Sequence, residues 1–459
     1  MEASPRRVAP RVVEMTLVTA VLLAGASVAA DTVRTQDPGT TRITASSREQ
    51  LEARLPADIL AQVRDDAELD MIIAPTHEYP AHPAYVDATI KYACQAQLDA
   101  QGQLINYTAG QPFPYSEWAK KATGHKCDLK PDDPQLALKL AWNVNFRWQG
   151  PGLNLPHFGF SYMRNNGNET WRVSQGEYRR TYFTHRADLP GHTLGPDSDV
   201  EWAEFFDVKT PFDLRGTMFL LFRYNYTAGQ EYKEDQTYAY IPSLRRVRRV
   251  AATQKSDSLL GTEFTLEDFY LFAGYVWDHK WEFQGEHSYL GIMNTRRTCF
   301  PNNMSAEEAK RSEGQTRLGT REEWESCRFG PYGAMPFRGD TWENRTVVQL
   351  DDIPRREGHP YSRKKLFYDK ETLQPLYAMA YDRAGQPMRM IMSVRRWSEE
   401  SEVPENRGQY VAADAAVLIA NLQNGNSHVG SFWNGNVRQF DGDTTRRYYD
   451  TSRLKKEGR

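Results

Sequence analysis

The stretch Lys365-Leu-Phe-Tyr-Asp-Lys-Glu-Thr-Leu-Gln-Pro-Leu-Tyr-Ala-Met-Ala-Tyr-Asp-Arg-Ala-Gly-Gln-Pro-Met388 decides the fold. An apolar, aromatic run ends at an Asp-x-x-Thr turn. A second run ends at an Asp-x-x-Gly turn, and a third begins at Pro387, which predicts a three-strand meander. Turns this short require antiparallel pairing. The same alternation of aromatic or β-branched residues with polar ones extends outward to residues 169–176, 178–184, 216–226, 236–241, 280–284 and 389–395. A further hairpin turns at Asn424-Gly425. Two helical regions interrupt the strands. Residues 47–70 read as one helix or two broken at Pro56, and a second helix opens at Asp132-Asp133-Pro134. The expectation is a mainly β (α+β) chain, with a large antiparallel sheet and a few helices against one face.

Composition agrees. The chain has 459 residues, 40% apolar and 25% charged, with aromatics at 12% and a formal net charge of −3. No global field attracts nucleic acid, so no nucleic-acid partner is expected.

Arg6, Arg7 and Arg11 precede the apolar run Met15–Ala26, and Val28-Ala29-Ala30 offers small residues for cleavage. This pattern predicts a signal peptide over residues 1–30, cleaved near Ala30, with retention as an anchor the weaker alternative. The run is shorter than the roughly 20 residues of a membrane span. With no cysteine nearby, the product is expected to be exported and periplasmic, not a lipoprotein, with a net charge of −4. Residues 31–45 read as a flexible segment, 46–445 as a single β-rich domain, and 446–459 as a polar tail.

Export changes how the cysteines read. Cys94, Cys127, Cys299 and Cys327 are even in number, which predicts two disulfides in an oxidising compartment. Of the three connectivities, Cys94–Cys127 with Cys299–Cys327 closes the shortest loops. A zinc site lacks any Cys-x-x-Cys pair, and no metal or cofactor is expected.

No nucleophile elbow, phosphate-binding loop or metalloprotease motif occurs, and the ten histidines are scattered. Asp132-Asp133 reads as a helix start and Asp351-Asp352 as a loop, so no catalytic residue is assigned. What stands out is aromatic density. Trp148, Phe160, Trp171, Phe272, Trp277, Trp281 and Phe283 either fill the core of a large sheet or line an apolar cavity for a hydrophobic, lipid-like ligand. Sequence does not separate the two readings.

Four arginines crowd Leu244-Arg-Arg-Val-Arg-Arg-Val250. A lipid headgroup at the cavity mouth is one reading of Arg245, Arg246, Arg248 and Arg249. The favoured one is a structural charge network with Asp257, Glu263, Glu267 and Asp268 just downstream.

Several segments resemble one family. Ala109-Gly-Gln-Pro-Phe-Pro114, Tyr240–Arg249, Glu267-Asp268 with Phe272-Ala-Gly274, and Tyr361–Thr372 with Tyr381–Gly385 are similar, in order, to signature segments of domain-of-unknown-function family 1329. The family has been likened to the periplasmic lipoprotein carriers LolA and LolB. The resemblance implies a curved antiparallel half-barrel with helices packed on its concave face over an apolar cavity. It also implies a non-enzymatic role in envelope lipid or lipoprotein transport, beside a resistance-nodulation-division (RND) type transporter and an outer-membrane protein. The alternative is a structural protein with a filled core docking on such a partner, with an unrecognised enzyme the weaker third reading. Residues 284–294 depart from the family pattern, and 295–330 read as a local elaboration.

Overall fold

The computed structural model describes residues 39–195, 199–250, 256–295, 329–401, 403–433, 437 and 448–457. The signal segment, Cys299, Cys327 and most of the 295–330 elaboration lie outside the described residues.

The chain opens with β1 (Thr41–Thr44), helix α1 (Ala57–Val63), β2 (Asp70–Ile73) and helix α2 (Pro83–Lys91). A small hairpin of β3 (Gln97–Leu98) and β4 (Leu104–Ile105) precedes helices α3 (Glu117–Ala122) and α4 (Leu136–Asn145). Six strands follow: β5 (Gly152–Arg164), β6 (Glu169–Tyr182), β7 (Val200–Thr210), β8 (Met218–Tyr224), β9 (Gln236–Ile241) and β10 (Arg246–Val250). After a long irregular segment come β11 (His279–Gly291), β12 (Arg338–Pro354) and the meander β13 (Arg363–Asp369), β14 (Pro375–Tyr381) and β15 (Pro387–Trp397). A hairpin of β16 (Ala412–Asn421) and β17 (Ser427–Trp433), then helix α5 (Thr451–Glu457), complete the chain.

Fifteen strands form one open, curved sheet in the order β1-β2-β12-β13-β14-β15-β16-β17-β5-β6-β7-β8-β9-β10, with β11 also on β12. Every pairing is antiparallel except β2 on β12, which is parallel, so the sheet is mixed. The meander turns form as their sequences require. Asp369 Oδ2 accepts from the Thr372 amide and hydroxyl at 2.8 and 2.7 Å. Asp382 Oδ1 accepts from the Ala384 and Gln386 amides at 2.9 Å, with Gly385 left-handed at φ 77°.

Both faces of the central strands are buried. Val347, Phe367, Met379, Met392 and Leu418 pack with Leu51, Ile59 and Val63 on one side. Val348, Leu366, Ala378, Ile391 and Val417 pack with Leu136, Leu140 and Val144 of α4 on the other. The period-two repeat sorts neighbouring residues to opposite faces. Helical segments therefore lie on both faces, not on one alone as expected.

Two further expectations are corrected. The segment to residue 45 is not wholly flexible, because Thr41–Thr44 pairs with β2 and Ile43 is fully buried. Nor is the C-terminus merely a polar tail: Tyr449 and Leu454 pack on Phe205 and Leu220.

Candidate functional site

On the α4 side of the sheet, residues 256–277 form a cover, with Phe264, Leu271 and Val276 packed in the core that α4 shares with the strands. Ser258 bridges Thr265, and two 3-10 turns, Leu259–Gly261 and Leu266–Leu271, shape the path. Tyr270 and Leu271 are consecutive non-glycine residues with left-handed φ of 56° and 68°. That conformation costs of order 1–3 kcal/mol per residue and persists only where the surroundings impose it.

What imposes it is a buried polar latch. Glu263 Oε2 accepts from Asn421 at 2.8 Å and from Arg389 at 3.3 Å. Glu267 meets His359 Nε2 at 3.1 Å and lies 3.6 Å from His279 Nε2. Asp268 accepts from Lys364 Nζ at 3.0 Å, the Tyr361 hydroxyl at 2.8 Å and the Thr265 hydroxyl at 2.8 Å. His279 Nδ1 in turn contacts Asp352. Burial alone would raise the Glu267 carboxyl, but the His359 hydrogen bond and the charges of Lys364, His359 and His279 outweigh it and hold it at about 2. Burial would lower the His279 imidazole, yet the Asp352 and Glu267 charges prevail and raise it.

Beneath one end of the cover is an apolar recess. Phe269 and Leu271 of the cover close it against Leu155, Phe158, Phe160 and Phe206 of the sheet. Its free volume is about 20 Å³, little more than one water. Phe264 of the cover, fully buried, sits between Phe269 at 4.3 Å and the His428 ring at 5.7 Å. Neither His428 nitrogen has a hydrogen-bond partner, and burial pushes the imidazole down to about 3, so it stands neutral.

At the other end the cover walls a cavity of about 130 Å³. Tyr232, Tyr275 and Trp277 cluster at 4.9–5.6 Å centroid separations along one side. Arg223 lines it while fixing the cover by donating to the Ala273 and Gly274 carbonyls at 2.8 and 3.0 Å, and it pairs with Asp235 at 3.0 Å. Glu201, its carboxyl raised by burial, and the partnerless Trp277 indole N–H also border this space. An aromatic wall with one cation and a few polar groups suits an amphiphilic molecule.

A family model described as a protein of unknown function (DUF1329) matches residues 42–455. The chain belongs to the DUF1329 family. Its DUF1329 segments occupy structural positions around this site. Gln111 of Ala109–Pro114 accepts from the Tyr115 and Ser116 amides at 2.6 and 3.2 Å, while the Phe113 amide donates to Asn143 of α4 at 2.9 Å. Gly110 is left-handed, and a Cβ there would come within 2.5 Å of the Thr89 amide nitrogen, so only glycine fits. The Glu267-Asp268 and Tyr361–Thr372 segments supply part of the latch, Asp268 facing Tyr361 and Lys364.

Similar solved structures include a provisionally named outer membrane lipoprotein-sorting protein domain from Vibrio parahaemolyticus. It is 15% identical, with 70% of this chain and 98% of that one covered, at a TM-score of 0.44. A DUF1329 family protein from Desulfovibrio piger is 16% identical, with 69% and 97% covered, at 0.42. A LolA superfamily protein from Nitrosomonas europaea is 9% identical, with 69% and 96% covered, at 0.34. No match was found among curated proteins.

The seven aromatics singled out from sequence do not share one cavity. Phe160 lies in the recess and Trp277 in the larger cavity. Phe272, Trp281 and Phe283 pack against the α4 core, with Phe272 edge-on to Trp281 at 4.9 Å. Trp148 belongs to a separate cluster with Tyr85 and Val411, its indole donating to Gln409 O at 2.6 Å. Trp171 is exposed, because β7 pairs with β6 only from Gln175 onward and leaves that strand end uncovered.

The arginine network is also corrected. Arg245, Arg246, Arg248 and Arg249 are all exposed, on or beside β10, the last strand in the sheet order. Among the described residues none of them forms an ion pair, and Asp257 is exposed too. Glu263, Glu267 and Asp268 do form a buried network, but with Arg389, His359, His279 and Lys364. Those bases carried a readable signal. Lys364-x-Leu366-x-Tyr368 and Arg389-x-Ile391 alternate, so each base shares the inner face with core residues.

Of the predicted disulfides, Cys94–Cys127 is formed, with Cα atoms 5.7 Å apart. Among the described residues no cluster resembles a metal site, and no helix is long and apolar enough to cross a membrane.

Proposed function

We propose that this protein is a non-catalytic periplasmic carrier or accessory protein that takes up a hydrophobic, lipid-like ligand beneath the 256–277 cover. The single observation that carries this reading is how the cover is held. It closes an apolar recess at Phe269 and Leu271 and walls a 130 Å³ cavity at Tyr275 and Trp277. Yet it is fastened largely by charged groups, which can exchange partners, in addition to its apolar contacts. Lifting it would expose Phe158, Phe160 and Phe206, whose burial gives an acyl chain its binding energy at about 25 cal/mol per Å². Arg223 and Glu201 would remain to meet a polar headgroup. In this reading the protein acts beside an RND-type transporter and an outer-membrane protein, the partners that the family resemblance of the sequence implies.

One observation favours a second reading, an interaction protein with a filled core: the recess holds only about 20 Å³ of free space. The two are separated by stripping the protein of lipid, exposing it to membrane extract and analysing retained molecules by native mass spectrometry. A stoichiometric lipid, reduced at least tenfold in Phe160→Asp, supports the carrier. No retained lipid in any preparation supports the filled core. The enzyme reading finds little footing, since the buried His279, His359 and Glu267 are engaged with one another and line neither space.

A further inference from the structure

Four large hydrophobic side chains stand exposed among the described residues: Ile90, Trp171, Phe212 and Leu244. Three of them gather at one end of the sheet. The β5–β6, β7–β8 and β9–β10 connections all leave the sheet at that end, as the register of Gln175 with Thr210 and of Met218 with Tyr240 requires. Arg172 pairs with Asp213, tying β6 to the β7–β8 turn. A Cβ built at Gly216 would meet the Pro242 ring at 3.5 Å, so the β7–β8 and β9–β10 turns are packed together. From this end Phe212 projects almost wholly into solvent, 91% exposed, with Leu244 and Trp171 about two-fifths exposed.

Cations surround these tips. The Arg164 guanidinium lies 3.9 Å over Trp171, with Arg172 at 5.2 Å. Arg215, Arg245, Arg246 and Arg248 are exposed on the two neighbouring turns and β10. The acids in the same connections are Asp213, already paired, and Glu169. The patch is therefore strongly positive on a chain whose formal net charge is −3.

We infer that this end of the sheet docks on an anionic lipid bilayer surface. Two turn tips and one strand end, each with one apolar side chain and adjacent arginines, match the layered chemistry of a membrane interface. Rings and short aliphatic chains enter the headgroup boundary while guanidiniums meet phosphates. A protein partner would more naturally face a contiguous, close-packed apolar patch. Arg215, Arg245, Arg246 and Arg248 thus act outward, toward phosphate, and the inference stands apart from the ligand proposed beneath the cover.

The test is flotation of the full chain with vesicles of phosphatidylcholine alone or with about a third phosphatidylglycerol, at low and high salt. Every variant carries the same N-terminal stretch, so differences between variants report this patch. Binding is expected on the anionic vesicles only, weakened by salt. Each arginine near the surface contributes about fivefold, so Arg245→Ala with Arg246→Ala should weaken binding about 25-fold. Phe212→Ser should weaken it several-fold without lowering the melting temperature. In Phe212→Trp, brominated anionic lipid should quench additional fluorescence. The inference is overturned if binding is equal on both vesicle types, if the arginine and Phe212 variants bind like the parent, or if the patch captures an acidic protein while ignoring vesicles.

Discussion

Where Lys364 meets Asp268, an ammonium and a carboxylate, each no more than 1% exposed, face each other at 3.0 Å. Burying such a pair costs desolvation on both sides, and that cost is recovered only while both partners and their hydrogen bonds are present. Asp268→Asn or Lys364→Met alone should therefore destabilise by about 3–5 kcal/mol in urea unfolding, by leaving a charge unpaired. The double variant Asp268→Leu/Lys364→Met should recover much of that loss. His428 gives a different expectation. Its imidazole is held near 3 by burial, against 6.5 in the unfolded chain, so the unfolded state binds a proton that the folded state refuses. Stability from this site is full above pH 6.5 and falls progressively as pH drops toward 3. His428→Phe should keep the ring against Phe160 and Phe264 and flatten the stability–pH curve between 7 and 4, as denaturant titrations at several pH values would reveal.

The cover obeys the same arithmetic at the scale of an element. Glu267, held at about 2 instead of 4.5, contributes stability above pH 4.5 that is lost as pH falls toward 2. His279, raised above 6.5, contributes stability below 6.5 that is lost as pH rises through its folded value. Protection factors of the amides across residues 263–272, which divide out the intrinsic pH dependence of exchange, should accordingly peak in mildly acidic buffer and fall along an alkaline limb above neutrality. In His279→Gln the alkaline limb should vanish. The Cys94–Cys127 bridge, spanning 33 residues, closes a loop that includes α3 and the buried Ala109–Pro114 segment. Replacing both cysteines by serine should cost about 2–4 kcal/mol, read as a lower unfolding midpoint. Much at this scale was legible in advance: the meander, the Asn424-Gly425 hairpin and helix α4, which starts at Leu136, two residues past Pro134, with Asp133 Oδ1 accepting from the Gln135 amide at 2.8 Å. Helices α2 and α3 were not, because each spans at most nine residues and they bury only a few side chains between them, such as Tyr85 and Ala119. Nor was the pairing of charges. Local proximity favoured the arginines at 245–249, whereas strand register brings Lys364 and Arg389 to the cover from about a hundred residues away.

Across the whole molecule, segments far apart in the chain meet inside one sheet. β17 pairs with β5, joining Ser427 to Met163, and this seam couples the two halves of the sheet. The C-terminal helix then supports the far end, where Leu454 is fully buried beside Phe205 and Leu220. Leu454→Ala should cost about 2–5 kcal/mol, seen as a fall in melting temperature. The sequence read that terminus as a polar tail because one leucine among Arg453, Lys455 and Lys456 gives no repeat to detect.

The long connection between β11 and β12 carries a consequence for how members of such a lineage can diverge. The two strands hold antiparallel register from Gly291 opposite Glu343 to His279 opposite Pro354. Doubling the length of such a connection adds only about 0.6 kcal/mol of closure entropy. Insertions, deletions or a spliced reporter domain between Thr295 and Phe329 should thus be tolerated without moving a single strand. New specificity can be grafted there while the cover and its latch are inherited unchanged.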